Sequence, residues 1–245
     1  MSPPFLRQQV SDQMIHQRYF KAGQRVQLRA KQPLPADGRN ELLSASLDGG
    51  DSDYFDLTLP YDPNAVAQYP FCADMSFELN ADALGLGVKV TVTFLKTLTN
   101  NRIRVLVLPD LQMFQRRVQP RLDCTIGLRF TRGNSSLLKM RETWEKNASI
   151  LANTTQPVPL KGFTSCQLNL SPSGIRFTLQ PPVEPSDLCL MLLDLGDSNA
   201  PICALAEIVW ATEKNAEGTV HAGMQFIGIM KPDQKRIERF IREHP

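Results

Sequence analysis

Apolar and polar residues alternate with a period of two through most of this chain, and that pattern leaves few folds open to it. In the first half it runs through Arg25–Arg29, Tyr54–Leu59, Met75–Leu79, Val88–Phe94 and Ile103–Leu108. In the second half it runs through Cys124–Phe130, Phe163–Leu168, Ile175–Leu179, Leu188–Leu195, Ile202–Thr212 and His221–Ile229. A strand sends successive side chains to opposite faces, so each segment carries one apolar face that must be covered. Short antiparallel strands at this spacing predict a closed barrel, because closure removes exposed edges. The predicted fold class is mainly β, with two small antiparallel β-barrels in tandem. A length of 245 residues with 42% hydrophobic residues is enough for two cores. Pro109–Gln115 is read as the connection, with the boundary near residue 112, giving domains 1–112 and 113–245.

Two segments depart from this period and one more is read as a short helix, around Pro4–Arg18. Between Ser136 and Leu151, the residues Leu137, Met140, Trp144, Ala148 and Leu151 recur at helical spacing and form one apolar face. A helix inserted there either covers one end of the second barrel or docks a partner. At the end of the chain Pro232 precedes Ile237, Phe240 and Ile241 on one side of a helix, with Lys235, Arg236, Arg239 and Arg242 on the other. This is an amphipathic C-terminal helix, expected to pack on the barrel.

Several function classes are excluded by what the residues do not supply. Lys and Arg total 27 against 25 Asp and Glu, and a net charge of +2 is too small for a protein that holds DNA through neutralised phosphates. The apolar runs Leu188–Leu193 and Pro201–Ala206 are far shorter than the ~20 residues of a membrane span, and the first thirty residues lack a signal-peptide core, so a cytoplasmic protein is expected. Cys72, Cys124, Cys166, Cys189 and Cys203 have no C-x-x-C spacing and read as small core residues rather than as disulfides or metal ligands. The three histidines are scattered, and no nucleophile elbow, P-loop, dinucleotide turn or zinc-protease pair occurs. No catalytic residue and no metal site is assigned.

Charge is segregated along the chain. Residues 37–82 carry ten acids against Arg39 alone, a balance of −9, whereas residues 100–141 carry nine cations against Asp110 and Asp123, a balance of +7. Eight of those nine cations are arginine. Arg116, Arg117 and Arg121 lie just before the first strand of the second barrel, where Pro120 prevents a regular helix. A guanidinium donates two parallel hydrogen bonds to phosphate or to the O6/N7 edge of guanine and also stacks on purines, so this cluster suits a guanine nucleotide. Downstream, Asn169-x-Ser171-x-x-Gly174 lies between two predicted strands of the same domain. There an amide and a hydroxyl can bond a base or phosphate, and Gly174 permits either a positive φ or a close backbone approach.

Arg117-x-x-x-Arg121 followed by Asn169-x-Ser171-x-x-Gly174 resembles the paired signature of PilZ domains, bacterial receptors for cyclic di-GMP. The preceding strand-rich region resembles the amino-terminal domain of YcgR-like flagellar brake proteins. The resemblance implies a non-enzymatic cyclic di-GMP receptor that changes its interdomain arrangement on binding and regulates flagellar motility, with no cofactor besides the ligand. It implies that Arg117 and Arg121 clamp guanine and phosphate, that Asn169, Ser171 and Gly174 hold the other side, and that Arg116 favours a stacked pair of ligands. The 48 positions from Arg121 to Asn169 exceed the family's spacing, and the inserted helix accounts for the excess. A flagellar motor component or another protein is the implied partner; the oligomeric state is not fixed by the sequence. Two other readings stand beside this one: a PilZ-fold adaptor that binds proteins and no nucleotide, and an oligonucleotide-binding barrel, which the low net charge and the few Trp and Tyr residues oppose. A fainter pair, Arg25-x-x-x-Arg29 with Ser44-x-Ser46-x-x-Gly49, raises the question of a duplicated site in the first half.

Overall fold

A computed structural model describes residues 16, 18–31, 38–51, 53–61, 69–83, 85–98, 101–115, 120–133, 136–154 and 161–244. Most of the expected helix at Pro4–Arg18 lies outside them. The chain forms two compact units, Met1–Leu34 with Leu42–Val118, and Pro35–Glu41 with Gln119–Pro245.

The first unit is built from β1 (Arg25–Ala30), β2 (Arg39–Gly50, from Leu42 onward), β3 (Tyr54–Thr58), β4 (Ser76–Ala83), β5 (Leu86–Thr97), β6 (Arg102–Val107) and β7 (Gln112–Phe114). Six of these close antiparallel in the order β1-β4-β5-β6-β3-β2 and back to β1. The inward residues are those that the alternation selects: Val26 and Leu28, Phe55 and Leu57, Phe77 and Leu79, Val88, Val90 and Val92, Ile103 and Val105, all buried. β2 does not show in the alternation, because its Leu42-Leu43 doublet, serines and Gly49-Gly50 blur the period. Gln112–Phe114, read as part of the connection, instead form β7 on β5, and the Phe114 ring fills the space over Gly87.

The second unit contains β8 (Leu122–Gly133), β9 (Thr164–Ser171), β10 (Gly174–Leu179), β11 (Leu188–Asp194), β12 (Ile202–Ala211) and β13 (Val220–Met230). They close antiparallel in the order β8-β9-β10-β13-β12-β11 and back to β8. The fold is therefore mainly β, with two closed barrels, as the alternation predicts. The core of this barrel is one cluster that includes Leu128, Leu168, Leu170, Phe177, Met191, Leu193, Ile202 and Ile208.

Helix α1 (Leu137–Ala152) is inserted between β8 and β9, with Ser136 as its N-cap. Its buried face consists of Leu137, Met140, Trp144 and Ala148. It packs on β11, β12 and β13, so this face is covered by the barrel itself. Cys203 and Leu205 alternate with the inward Ile202, Ala204 and Ala206, which places α1 on the outer wall of the barrel rather than over its end. Trp144 is fully buried, and its Nε1–H donates to the Cys203 carbonyl at 3.1 Å. Its ring lies so close to Gly228 that an added Cβ there would sit 3.1 Å from it.

Residues 38–41 belong to this second unit. Arg39–Glu41 pair with Gly228–Met230 of β13, Lys231 N–H donates to Gly38 O at 2.8 Å, and Arg141 of α1 donates to both carboxylate oxygens of Glu41 at 2.7 and 3.2 Å. Helix α2 (Lys231–Glu243) buries Ile237 and Ile241, while Arg236 bonds Asp197, Asp233 and Ala200 O.

Only Cys189 and Cys203 are fully buried, and burial pushes both thiols up to about 12, which keeps them protonated and unreactive. Cys124 and Cys166 are half-buried and pack against the barrel core, whereas Cys72 is exposed, so the reading of all five as core residues is corrected for Cys72. No group of metal-ligating side chains occurs among the described residues, and no described helix is long and apolar enough to cross a membrane.

Truncating Trp144 removes a whole indole from a closed site and leaves the Cys203 carbonyl without its donor. Trp144→Ala is expected to lower unfolding free energy by about 3–5 kcal/mol, read by urea denaturation of the full chain.

Candidate functional site

The segment Asn169–Gly174 is the β9–β10 hairpin. At the end of β9, Asn169 and Ser171 alternate with the inward Leu168 and Leu170; Asn169 is half-buried and Ser171 is buried beneath the turn. Ser171 pairs with Gly174, so Pro172 and Ser173 form a two-residue connection. The Ser171 hydroxyl donates to Gly174 O at 3.0 Å and lies 3.4 Å from the Ser173 hydroxyl, which ties the turn to itself.

Gly174 resolves the alternative left by the sequence. It is not among the positive-φ residues; instead an added Cβ would collide with the Met224 carbonyl oxygen of β13. Glycine is required here because two backbones approach closely. The turn is also held from outside: Phe226 N–H donates to Ser173 O at 2.9 Å, and the Gln234 amide of α2 donates to Pro172 O at 3.1 Å. The same Gln234 side chain accepts from the Asn40 amide at 3.2 Å.

Cross-strand register builds a surface around this hairpin. Asp123 pairs with Asn169, Asn169 with Arg176, Arg176 with Gly223, and Gly223 with Trp210. These five residues form one outward row across β8, β9, β10, β13 and β12. The Asn169 amide Nδ2 donates to Asp123 Oδ1 at 2.9 Å, and the Arg176 guanidinium lies 3.7 Å from the same oxygen. Both charged side chains are open to solvent, Asp123 at 75% and Arg176 at 48%. At the other end of the row the Trp210 indole lies against Gly223, where any Cβ would strike the ring, and it is 43% exposed.

Of the residues singled out by sequence, Asn169, Ser171 and Gly174 converge on this hairpin, and Arg121 is exposed immediately before β8, two residues from Asp123. Arg116 and Arg117 lie outside the described residues. Asp123, Arg176 and Trp210 were not singled out; they come from three strands distant in sequence, and only the register joins them. The fainter repeat lacks this setting. Ser44, Ser46 and Gly49 lie within the single strand β2, not in a hairpin, and nothing lies within 4 Å of a Cβ added at Gly49.

The row offers carboxylate and amide acceptors, a guanidinium donor and a solvent-open indole side by side. A family model described as PilZ domain matches residues 115–243, more than half of the chain. No curated protein sequence matches. Among solved structures, the Bacillus subtilis inhibitor of motility (MotI/DgrA) is 12% identical, with 91% of this chain and 97% of that one covered and a TM-score of 0.35. YcgR from Escherichia coli in complex with c-di-GMP is 13% identical, with coverages of 96% and 89% and a TM-score of 0.32. Apo MrkH of K. pneumonia is 14% identical, with coverages of 96% and 93% and a TM-score of 0.36.

The two motif-like glycines make a direct comparison possible. Gly174→Ala is expected to destabilise the chain by about 1–3 kcal/mol through the Met224 collision, whereas Gly49→Ala stays within about 0.5 kcal/mol, both read by chemical denaturation.

Proposed function

The chain belongs to the PilZ domain family, and from that membership we propose that it is a non-enzymatic, cytoplasmic receptor for cyclic di-GMP. The observation that carries this reading is the placement of the N-x-S-x-x-G hairpin. Asn169 and Ser171 stand on the outer wall of the barrel, beside the strand that Arg121 precedes. In this reading Arg117 and Arg121 clamp phosphate and guanine through paired N–H donors, and Asn169, Ser171 and Gly174 hold the opposite side. Gly174 serves the site by letting the hairpin close against the Met224 carbonyl of β13. Arg116, directly before Arg117, favours a second, stacked ligand. Trp210, partly exposed against Gly223 in the same row, offers a purine an aromatic surface.

The first 112 residues act in this proposal as a YcgR-like effector domain, and ligand binding selects one interdomain arrangement over others. The downstream output is control of flagellar motility through a protein partner. None of this requires an acid, base or metal from the chain.

Calorimetric titration of the full chain with cyclic di-GMP, with GTP as control, is the direct test. Saturable binding to cyclic di-GMP and none to GTP is expected, with Arg117→Ala and Arg121→Ala each weakening it by about tenfold or more. Two ligands per chain, reduced to one in Arg116→Ala, is the outcome expected for a stacked pair. Absence of binding would leave a PilZ-fold adaptor that works by protein contacts. Solution scattering with and without ligand reads the domain motion, and superimposable curves at saturation would remove that part.

A further inference from the structure

Asp123 is an anomaly at a site proposed for an anionic ligand. The stretch 100–141 contains only two acids, and this one stands two residues after Arg121, on the hairpin's own row. Fold stability does not account for it. Its partners are a half-buried amide and a half-exposed guanidinium 3.7 Å away, and solvent-open pairs of this kind contribute only about 0–1 kcal/mol. Three-quarters exposed, its carboxylate is also available to a bound molecule.

Its neighbour tells what that molecule must present. Beside a carboxylate, the Asn169 amide must turn its NH2 inward to donate, which directs its Oδ1 away from Asp123. The pair therefore presents acceptors together: the remaining carboxylate lone pairs and the amide oxygen. A phosphate, which is itself only an acceptor, gains nothing from them. The Watson–Crick edge of guanine carries adjacent N1–H and N2–H2 donors, which a carboxylate can take with its two oxygens. Adenine has an unprotonated N1 and no amino group at C2, so the same edge sets acceptor against acceptor.

We infer that Asp123 is the residue that reads guanine at this site, with Asn169 oriented by it and Arg176 keeping its charge balanced. This rests on the cyclic di-GMP reading above and adds to it the residue that sets base specificity. Within the family signature the position held by Asn169 is expected to contact the ligand; here the carboxylate is supplied from the adjacent strand.

The sign of one substitution separates this from the simplest alternative. If Asp123 only stands near the ligand, Asp123→Asn removes a negative charge from a phosphate site and tightens binding. If Asp123 reads guanine, the same change weakens it.

The experiment is titration of the full-length chain and its variants with cyclic di-GMP and with cyclic di-AMP, with thermal melts as a check on folding. Asp123→Asn is expected to lower the preference for cyclic di-GMP over cyclic di-AMP by about ten- to a hundredfold, the discrimination of one paired base contact. Asn169→Asp, which sets two carboxylates side by side, also weakens binding. The exchange Asp123→Asn with Asn169→Asp restores one carboxylate and one amide and returns the preference to within about threefold of the original. Unchanged or tighter binding in Asp123→Asn overturns the inference and leaves the receptor reading standing. Equal weakening toward both dinucleotides overturns it as well, since that is loss of site structure. Failure of the unaltered chain to bind either dinucleotide overturns the receptor reading, and this inference with it.

Discussion

Closure of the second sheet on itself is the constraint from which the site follows. Once β11 pairs with both β8 and β12, every strand has two neighbours and no register can slip without moving apolar residues out of the core. Leu168, Leu170, Ile175 and Phe177 hold the inward phase, so Asn169, Ser171 and Arg176 have no choice but to face out. The row from Asp123 to Trp210 is thus a by-product of core packing: residues 46 positions apart in the chain meet at 2.9 Å because their neighbours are buried.

Within that frame the hairpin is held by backbone more than by side chains. Met224 O abuts Gly174, Phe226 N–H meets Ser173 O, and Gln234 bonds Pro172 O. A turn fixed on three sides loses little conformational freedom when a ligand arrives, so contact energy is not spent on ordering it. The outer wall around Cys203, Leu205 and Gly228 is meanwhile covered by α1, whose Trp144 fills the space that Gly228 leaves. That covering accounts for the long stretch between Arg121 and Asn169. The insertion extends the loop between β8 and β9 without entering the pairing of Leu122–Leu128 with Thr164–Leu170.

What was legible in the sequence was what repeats locally. Alternation exposed the regular strands, and heptad-like spacing exposed α1 and α2, because those patterns are one-dimensional shadows of burial. β2 was lost where serine, alanine and paired glycine replaced the alternation, although Leu43, Ala45 and Leu47 still face inward opposite Val26 and Leu28. β7 was lost because three residues carry no period. The hairpin motif was readable as a string, but not the reason for its glycine, since the Met224 carbonyl comes from a strand fifty positions later. Asp123, Arg176 and Trp210 were invisible for the same reason. Each is an ordinary residue in its own strand, and only the cross-strand register sets them beside Asn169.

On the cyclic di-GMP reading, the register lets one barrel wall serve two electrostatic tasks. A ligand with phosphates and a base needs donors for the first and, for guanine, acceptors for part of the second. Uniformly basic surface would satisfy the phosphates and bind any polyanion. Here Arg121 stands two residues before Asp123, and Arg176 lies beside Asn169 in the same row. A single acid placed among arginines lowers attraction for anions in general. On the reading proposed above, that loss is offset only for a molecule that presents hydrogen-bond donors at that spot, and selectivity then resides in the same row as affinity.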